Sequence, residues 1–154
     1  MGQRSGILDD FAARIDSKFG LNGSDGQWLR KVKVGQYNPE WGGRPWVCVA
    51  GGDQQHSSGE RDPEDEKTME TDVDICLSLQ DNWDRDETYD EWIDNVNDLV
   101  RCLWNWLPAY GVLRNDYIDD VRGDAVLRNG DSRQLWVIRF RVRYMFDVGI
   151  IGKD

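Results

Sequence analysis

Apolar and polar residues alternate with a period of two between Met69 and Gln80, and no other feature limits the fold so tightly. One phase carries large or β-branched side chains, and the other begins with acids, among them Asp72 and Asp74. Successive side chains of a β-strand point to opposite faces of its sheet, so this period indicates a strand with one buried and one acidic face. The chain therefore contains a sheet, and other elements must cover its apolar side.

A second alternation runs from Gln134 to about Asp147. One of its phases is apolar and aromatic, whereas the other places three basic residues in succession, Arg139, Arg141 and Arg143. Like charges repel each other on a strand face, so this face either stays in water or meets carboxylates. Two interpretations stay open: a solvated face, or a stripe of ion pairs, for which a subunit interface is favoured. The acid-rich stretches 60–74 and 81–98 could supply the carboxylates, either within the chain or from a neighbouring subunit.

Two segments show the 3.6-residue period of amphipathic helices. The first extends from Ile7 to Phe19, where a glycine stops it, and the second extends from Tyr89 to Leu107, where Pro108 ends it. Because each segment has a single apolar stripe, both helices are expected to pack on the sheet.

Three further strands are predicted, at residues 28–34, 46–50 and 115–127. The prolines and glycines of residues 35–45 suggest a long hairpin between the first two strands, with a mobile loop between them. Residues 51–67 hold no large apolar side chain to offset the entropy of ordering, which predicts a second mobile loop. The order α-β-β-β-α-β-β indicates a single α+β domain spanning residues 1–154, in which two helices pack on a mostly antiparallel sheet of about five strands.

The net charge of −10 is concentrated in one part of the chain. Residues 60–98 hold sixteen acidic and three basic residues, so their charge is −13, whereas the remainder carries +3. An acidic surface repels phosphate, which argues against binding nucleic acid through counterion release but would let DNA pass close by without sticking. The acidic stretch could face such a passage or a neighbouring subunit.

Patterns that indicate catalysis or metal binding are sparse. The only histidine, His56, falls in the second predicted loop, so no serine, histidine and acid set can be placed on rigid elements. Three widely spaced cysteines fit neither a disulfide framework nor a zinc site. Asp72 and Asp74 could bind magnesium in a small metal-dependent hydrolase, but no general base accompanies them, which favours a protein that is not an enzyme and has no cofactor or metal. No segment has the apolar length of a membrane span, so no membrane partner is expected.

A pair of tryptophans flanks the sequence GGRP in the first predicted loop: Trp41 and Trp46, with Arg44 between them. Aromatic residues and arginine are enriched at protein interfaces. The pair either packs the end of the hairpin or forms an exposed docking loop, and docking is favoured because little nearby could bury both indoles.

Taken in order along nearly the whole chain, the patterned segments resemble the tail terminator (tail completion) proteins of long-tailed bacteriophages. The resembling segments are ILDDFAARIDSKFG, WLRKVKVGQY, WVCVA before the long loop, METDVDICLSL, YDEWIDNVNDLVRCLW and QLWVIRFRVRYMF. The resemblance implies a homo-oligomer, a hexameric ring that caps the tail tube, stops its growth and presents its other rim to the neck of the filled head. The implied partners are the tail tube protein and a neck or head-completion protein, and genomic DNA would cross the lumen without specific binding. The implied location is the head–tail junction of the virion, and the host cytoplasm during assembly.

A ring built from one kind of subunit joins two different patches of each copy, and the divided charge of this chain offers a basic strand and an acidic stretch as complements. The residues assigned to this subunit interface are Asp72, Asp74, Arg139, Arg141 and Arg143. Trp41, Arg44 and Trp46 are assigned to docking on the tube or the neck. Two alternatives stay open: another neck or tail component, such as a head-closure or tail-tube subunit, and the metal-dependent hydrolase.

Overall fold

The computed structural model describes residues 2–56, 68–79 and 86–145. Within these ranges, two helices and five strands follow one another in the predicted order. The elements are α1 (Gln3–Phe19), β1 (Lys31–Val34), β2 (Trp46–His56), β3 (Thr68–Ser78), α2 (Asp86–Leu103), β4 (Val112–Val126) and β5 (Ser132–Met145). The predicted fold class, α+β with a mostly antiparallel five-stranded sheet and two helices, is confirmed.

The two strands with the clearest alternation lie side by side at the centre of the sheet, whose order is β1-β2-β3-β5-β4. β3 and β5 are antiparallel and stay in register from Thr68 opposite Met145 to Ser78 opposite Leu135. β5 also pairs with β4 through the hairpin turn at Gly130, whose φ of 89° suits glycine. The two strands with the clearest period-two pattern therefore each have neighbours on both sides.

Both helices pack on the same face of the sheet and form one core with it. α1 contributes Ile7, Phe11, Ile15 and Phe19, and α2 contributes Trp92, Val96, Leu99 and Leu103. From the sheet come side chains of the apolar phases of β2, β3 and β5: Val47, Val49, Met69, Val73, Ile75, Leu77, Trp136, Ile138, Phe140, Val142 and Tyr144. Burying one such aliphatic or phenyl side chain stabilises the fold by about 1.5–3 kcal/mol, so this face supplies most of the driving force for folding.

The predicted hairpin between the first two strands is wrong, because β1 and β2 are parallel. Arg30 N–H donates to Pro45 O at 2.8 Å and Gly35 N–H donates to Val49 O at 3.0 Å, one at each end of the short ladder. Parallel neighbours need a crossover of about a dozen residues, and residues 35–45 supply it. Hydrophobic periodicity is the same for either strand direction, so the pattern alone could not separate the two.

The boundary of the second predicted loop also changes, since residues 51–56 continue β2. A shift in register between Gly51 and Gln54 marks a bulge opposite β3, and Arg4 of α1 donates hydrogen bonds to Gly52 O and to Thr71 Oγ1. Backbone pairing and this arginine therefore hold a segment that has no core side chain of its own. The rest of the predicted loop, residues 57–67, and the side chain of His56 lie outside the described residues.

α2 ends at Leu103, one turn earlier than the proline at position 108 indicates. Its last carbonyl groups find other donors: Arg14 Nε donates to Cys102 O at 2.6 Å, and Asn115 Nδ2 donates to Leu103 O at 2.7 Å. Asn105 follows with a positive φ of 61°, a conformation that asparagine tolerates and that turns the chain out of the helix. Leu107, predicted to lie on the apolar stripe, is consequently half exposed.

Candidate assembly surface

The sheet face opposite the helices, here called the open face, carries two rows of paired charges. Asp74 lies opposite Arg139 and Asp72 lies opposite Arg141 in the register of β3 and β5. Arg139 Nε is 3.0 Å from Asp74 Oδ1, and Arg141 Nε is 3.0 Å from Asp72 Oδ1. Arg139 Nε also lies 3.9 Å from Asp72 Oδ2, which links the two rows diagonally. The structure thus brings together four of the five residues predicted for an ion-pair stripe, all within one chain.

These four side chains are unequally exposed. The carboxylates of Asp72 and Asp74 are 10% and 19% exposed, whereas the side chains of Arg139 and Arg141 are 42% and 44% exposed. The pKa of each arginine is raised, first by its hydrogen bond to the aspartate and then by the attraction of the same carboxylate. Each guanidinium therefore stays charged, binds its aspartate through Nε and keeps part of its surface open to water or to another molecule.

β4 adds a second carboxylate to each row. Asp119 is the register partner of Arg139, and Asp116 is the partner of Arg141, so each arginine lies between two acidic positions across three strands. The charge of Asp119 contributes to the raised pKa of Arg139. Asp116 Oδ2 lies 2.5 Å from Arg114 Nε, which extends the network to the next residue on the same side of β4. Acid and base thus alternate across the open face.

Arg143, the fifth residue of the predicted stripe, forms the next row with Glu70 of β3 and Arg114 of β4. Its Nη2 donates to Thr68 Oγ1 at 3.4 Å, and its side chain is only partly exposed. The three arginines therefore do share a face as predicted, but the first two are held by aspartates and the third contacts a neighbouring threonine.

The other end of the open face is apolar and covered by residues 35–45. Trp46, Cys48 and Cys76 are buried there beneath Tyr37 and Trp41. The Trp41 and Trp46 rings meet edge to face with centroids 5.1 Å apart, and Trp46 Nε1 donates to Trp41 O at 3.2 Å. Trp46 is 0% exposed, so of the two interpretations of this tryptophan pair, packing describes Trp46 and the prediction that it docks on a partner is wrong.

Two basic residues fasten this aromatic cover to the sheet. Arg133 Nη1 donates to Pro39 O at 2.9 Å and to Trp41 O at 2.8 Å, and Lys33 Nζ lies 4.2 Å from the centre of the Trp41 ring. Trp41 and Arg44 are each partly exposed, so these two of the three predicted docking residues do reach the surface. The loop folds back over β2, which buries the Trp46 indole and covers part of the Trp41 indole.

The chemistry available on this face is that of ion pairing. Asp72 and Asp74, the suggested magnesium ligands, each accept a hydrogen bond from an arginine, so guanidinium groups lie where a metal would have to bind. Among the residues that the structure describes, no group of three or more His, Cys, Asp or Glu side chains could hold a metal ion. Burial raises the pKa of the Cys76 thiol to about 12, which leaves little reactive thiolate at neutral pH. The acids at positions 62, 64, 65 and 66, considered with them in the sequence, lie outside the described residues.

Sequence analysis missed the two acids that β4 contributes. A bulge between Tyr117 and Asp119 interrupts the alternation of this strand, which hid its pattern. Counting outward from the hairpin turn at Gly130 would have placed Asp119 opposite Arg139, and this signal was available.

In the part of the chain with described structure, neither helix has the apolar length to cross a membrane. No protein-family model matches the chain, and no curated protein is detectably similar to it in sequence.

Proposed function

We propose that this chain is a virion structural protein, the subunit of a tail terminator ring. In this role a hexamer caps the tail tube of a long-tailed bacteriophage, ends its polymerisation and joins the tail to the neck of the head. The observation that carries the proposal is the order of elements together with their placement: both helices cover one face of a five-stranded sheet. The segments that resemble tail terminators form these elements in the same order along the chain.

The open face supports an assembly role for a second reason. An isolated ion pair on a protein surface contributes only about 0–1 kcal/mol to stability, so rows of alternating acid and base are a weak means of holding a sheet together. The same rows present fixed charges on a rigid surface, and complementary fixed charges set the register and partner choice of an interface. Arg139 and Arg141, each more than two-fifths exposed, are the groups that a neighbouring molecule would meet.

The partners are the tail tube protein on one rim and a neck or head-completion protein on the other. The net charge of −10 allows genomic DNA to pass through the lumen without binding. Acidic residues outnumber lysine and arginine, so few basic side chains are available to displace the counterions of the DNA phosphates. The protein acts at the head–tail junction of the virion and assembles in the host cytoplasm. It needs no enzymatic activity or cofactor for this role.

Deletion of the gene from the genome that encodes it tests the proposal. Electron microscopy of the resulting particles is expected to show tails of uncontrolled length that are not joined to heads, and wild-type protein supplied in trans should restore tails of one length. Normal tails joined to heads after the deletion would overturn the proposal.

Electron microscopy of the purified protein separates the terminator from its nearest rivals. A tail-tube subunit polymerises on its own into tubes of indefinite length, and a head-closure subunit binds the head and leaves tail length unchanged. A terminator adds a single ring to the end of an existing tube and stops there. Nuclease activity with magnesium in a protein that binds no tube would point to the hydrolase instead.

A further inference from the structure

The two edges of the sheet have opposite charge. β1 forms one edge, and the segment from Gln27 to Gly35 that contains it holds Arg30, Lys31 and Lys33 but no acid. β4 forms the other edge and holds four aspartates against two arginines. Within the described residues, the sheet thus begins with a basic strand and ends with an acidic one.

The two edges also run in opposite directions. β1 is parallel to β2, and each following step across the sheet to β3, β5 and β4 is antiparallel, which leaves β4 antiparallel to β1. If a second copy is placed beside the first with its sheet continuing in the same plane, its β1 meets β4 as an antiparallel neighbour. Antiparallel pairing is the more stable of the two kinds, and either edge strand carries backbone groups able to form it.

The edges lie at the same height along the strands. Following the pairing across the sheet, Lys31 is level with Gly123 and Val34 is level with Asp120. This part of β4 belongs to the stretch from Asp119 to Val126 that follows the bulge and pairs with β5 without a further shift. A four-residue strand thus has a regular edge of at least its own length to pair with.

Side chains at both edges support the same contact. Lys31 and Lys33 lie on the open face, because they pair with Trp46 and Cys48, and Asp119 lies on that face opposite Arg139. Apolar side chains are exposed at both edges as well: Val34 at 42%, Val121 at 63% and Val126 at 71%. Pairing β4 with β4 would bring aspartates together, and pairing β1 with β1 would bring lysines together, so like charges oppose both symmetric alternatives.

We propose that copies of this chain assemble by adding β1 of one subunit, antiparallel, to the exposed edge of β4 in the next. The contact is heterologous: each subunit gives one basic edge and one acidic edge, and a closed ring leaves neither edge unpaired. The inference rests on the proposed ring for its closure, and it names the surfaces that form that ring. The open faces of successive subunits then join into one continuous charged surface.

Charge reversal with rescue tests the contact, with molar mass measured by light scattering after gel filtration at low and high salt. The wild-type protein is expected to form oligomers larger than a dimer that weaken as salt rises. Because Arg30 is level with Asp124 on one face and Lys33 lies near Asp119 on the other, these residues form two matched pairs. The variant Arg30→Glu/Lys33→Glu and the variant Asp119→Lys/Asp124→Lys should each be monomeric, and the variant with all four changes should regain the oligomer. Lys18→Glu/Arg101→Glu, which makes the same charge change on the helices, is the matched control and should assemble like wild type.

Chemical cross-linking gives a readout that does not depend on charge. β1 and β4 of one sheet are four strand spacings apart, about 19 Å, so a short bismaleimide that joins Lys31→Cys to Gly123→Cys links different copies. A Cβ at position 123 would meet nothing within 4 Å, so the second substitution fits. The double variant should give a ladder of multimers, whereas each single variant should give no more cross-linked product than the native cysteines allow. Dimers from Gly123→Cys alone would show a symmetric β4 contact instead.

A wild-type protein that stays monomeric up to millimolar concentration would overturn the inference, as would a folded four-change variant that stays monomeric. Circular dichroism of every variant separates lost assembly from lost folding. The proposed function can fail independently: a protein that forms these oligomers but whose deletion leaves tails normal would keep the edge contact and lose the terminator role.

Discussion

The two faces of strands β3 and β5 differ although the same backbone ladder supports both. On one face Val73 pairs with Phe140 and Ile75 pairs with Ile138, and all four side chains are completely buried. On the other, one residue away along each strand, aspartates pair with arginines that keep more than two-fifths of their surface in water. The strands therefore separate two tasks: one face holds the chain together, and the other presents charge.

The open face of β3 and β5 is charged although stability does not require charge there. A half-exposed ion pair contributes little to stability, and even buried ion pairs can often be replaced by well-packed apolar residues without loss of stability. An apolar open face would, however, associate with many surfaces without a fixed register. We interpret the paired charges as a means of specifying one assembly, and the following variants test each side of the comparison.

Phe140→Ala should have the largest effect. Phe140 is 0% exposed and contacts both Phe11 of α1 and Tyr117 of β4, so its removal leaves a cavity at the centre of the core. Loss of a buried phenyl ring costs about 3–5 kcal/mol in the free energy of unfolding, measured by urea denaturation. Val121→Ala, at an exposed position of the open face, is the control and should cost less than about 0.5 kcal/mol. Equal costs would contradict the assignment of the core to one face.

Asn115→Ala should rank second. Asn115 is 1% exposed, and its Nδ2 donates to Leu103 O at 2.7 Å and to Trp106 O at 2.9 Å, which joins β4 to the end of α2. Without this amide, a buried carbonyl group and a part-buried one lose a donor, at a cost of about 1–3 kcal/mol in the free energy of unfolding. Asn97→Ala on the exposed side of α2 should change it by less than about 0.5 kcal/mol, since alanine is the better helix former there. An unchanged midpoint for Asn115→Ala would show that solvent replaces the amide.

The buried thiol of Cys76, at the apolar end of the open face, should make the free energy of unfolding depend on pH. Burial raises the pKa of Cys76 to about 12, whereas a thiol in the unfolded chain ionises near about 8.5. A group whose folded-state pKa is raised stabilises the fold below its unfolded pKa, and this stability is lost as pH rises through the folded pKa. The free energy of unfolding should therefore fall between about pH 8.5 and 12, and it should fall less steeply in Cys76→Ala.

Val137→Ala is the matched control for that measurement, because Val137 lies opposite Cys76 in the register and does not titrate. Its stability should be lower than that of wild type by a constant amount, with the same slope against pH. Burial raises the pKa of Cys102 to about 11 and that of Tyr37 to about 12, so the free energy of unfolding should still fall with rising pH in every variant. Identical slopes for wild type and Cys76→Ala would mean that water reaches the thiol beneath the aromatic cover.

Much of the fold could be predicted because burial on one face imposes a period on the sequence. β3, β5 and the buried stripes of both helices follow that period closely, and the order of elements came from them. The parallel pairing of β1 with β2 could not be predicted, since hydrophobic periodicity is the same for either strand direction. The end of α2 likewise depends on Asn115, which lies 12 residues further along the chain and reaches Leu103 O only once β4 has formed.

The members of the candidate site on β3 and β5 were predicted, but the two acids of β4 and the geometry were not. Alternation placed Arg139, Arg141 and Arg143 on one face and Asp72 and Asp74 on another, and whether the two faces belonged to one chain was left open. The pairing of β3 with β5 decides that question, and a periodic pattern does not say which strands pair. Trp46 was assigned to the wrong role for the same reason, because the loop that buries it precedes it in the chain and folds back over it.

The smallest effect should come from the ion pairs themselves. In a double-mutant cycle of Asp74→Ala and Arg139→Ala, the coupling between the two residues should be about 0.5–1 kcal/mol, the size expected for a pair with one half-exposed partner. Salt should weaken it, since water and ions reach the guanidinium. A parallel cycle of Val73→Ala and Phe140→Ala, one residue away on the other face, should show stability losses that do not change with salt. A coupling of several kcal/mol for the charged pair would mean that the open face also holds the fold together, and the division of tasks between the two faces would then be wrong.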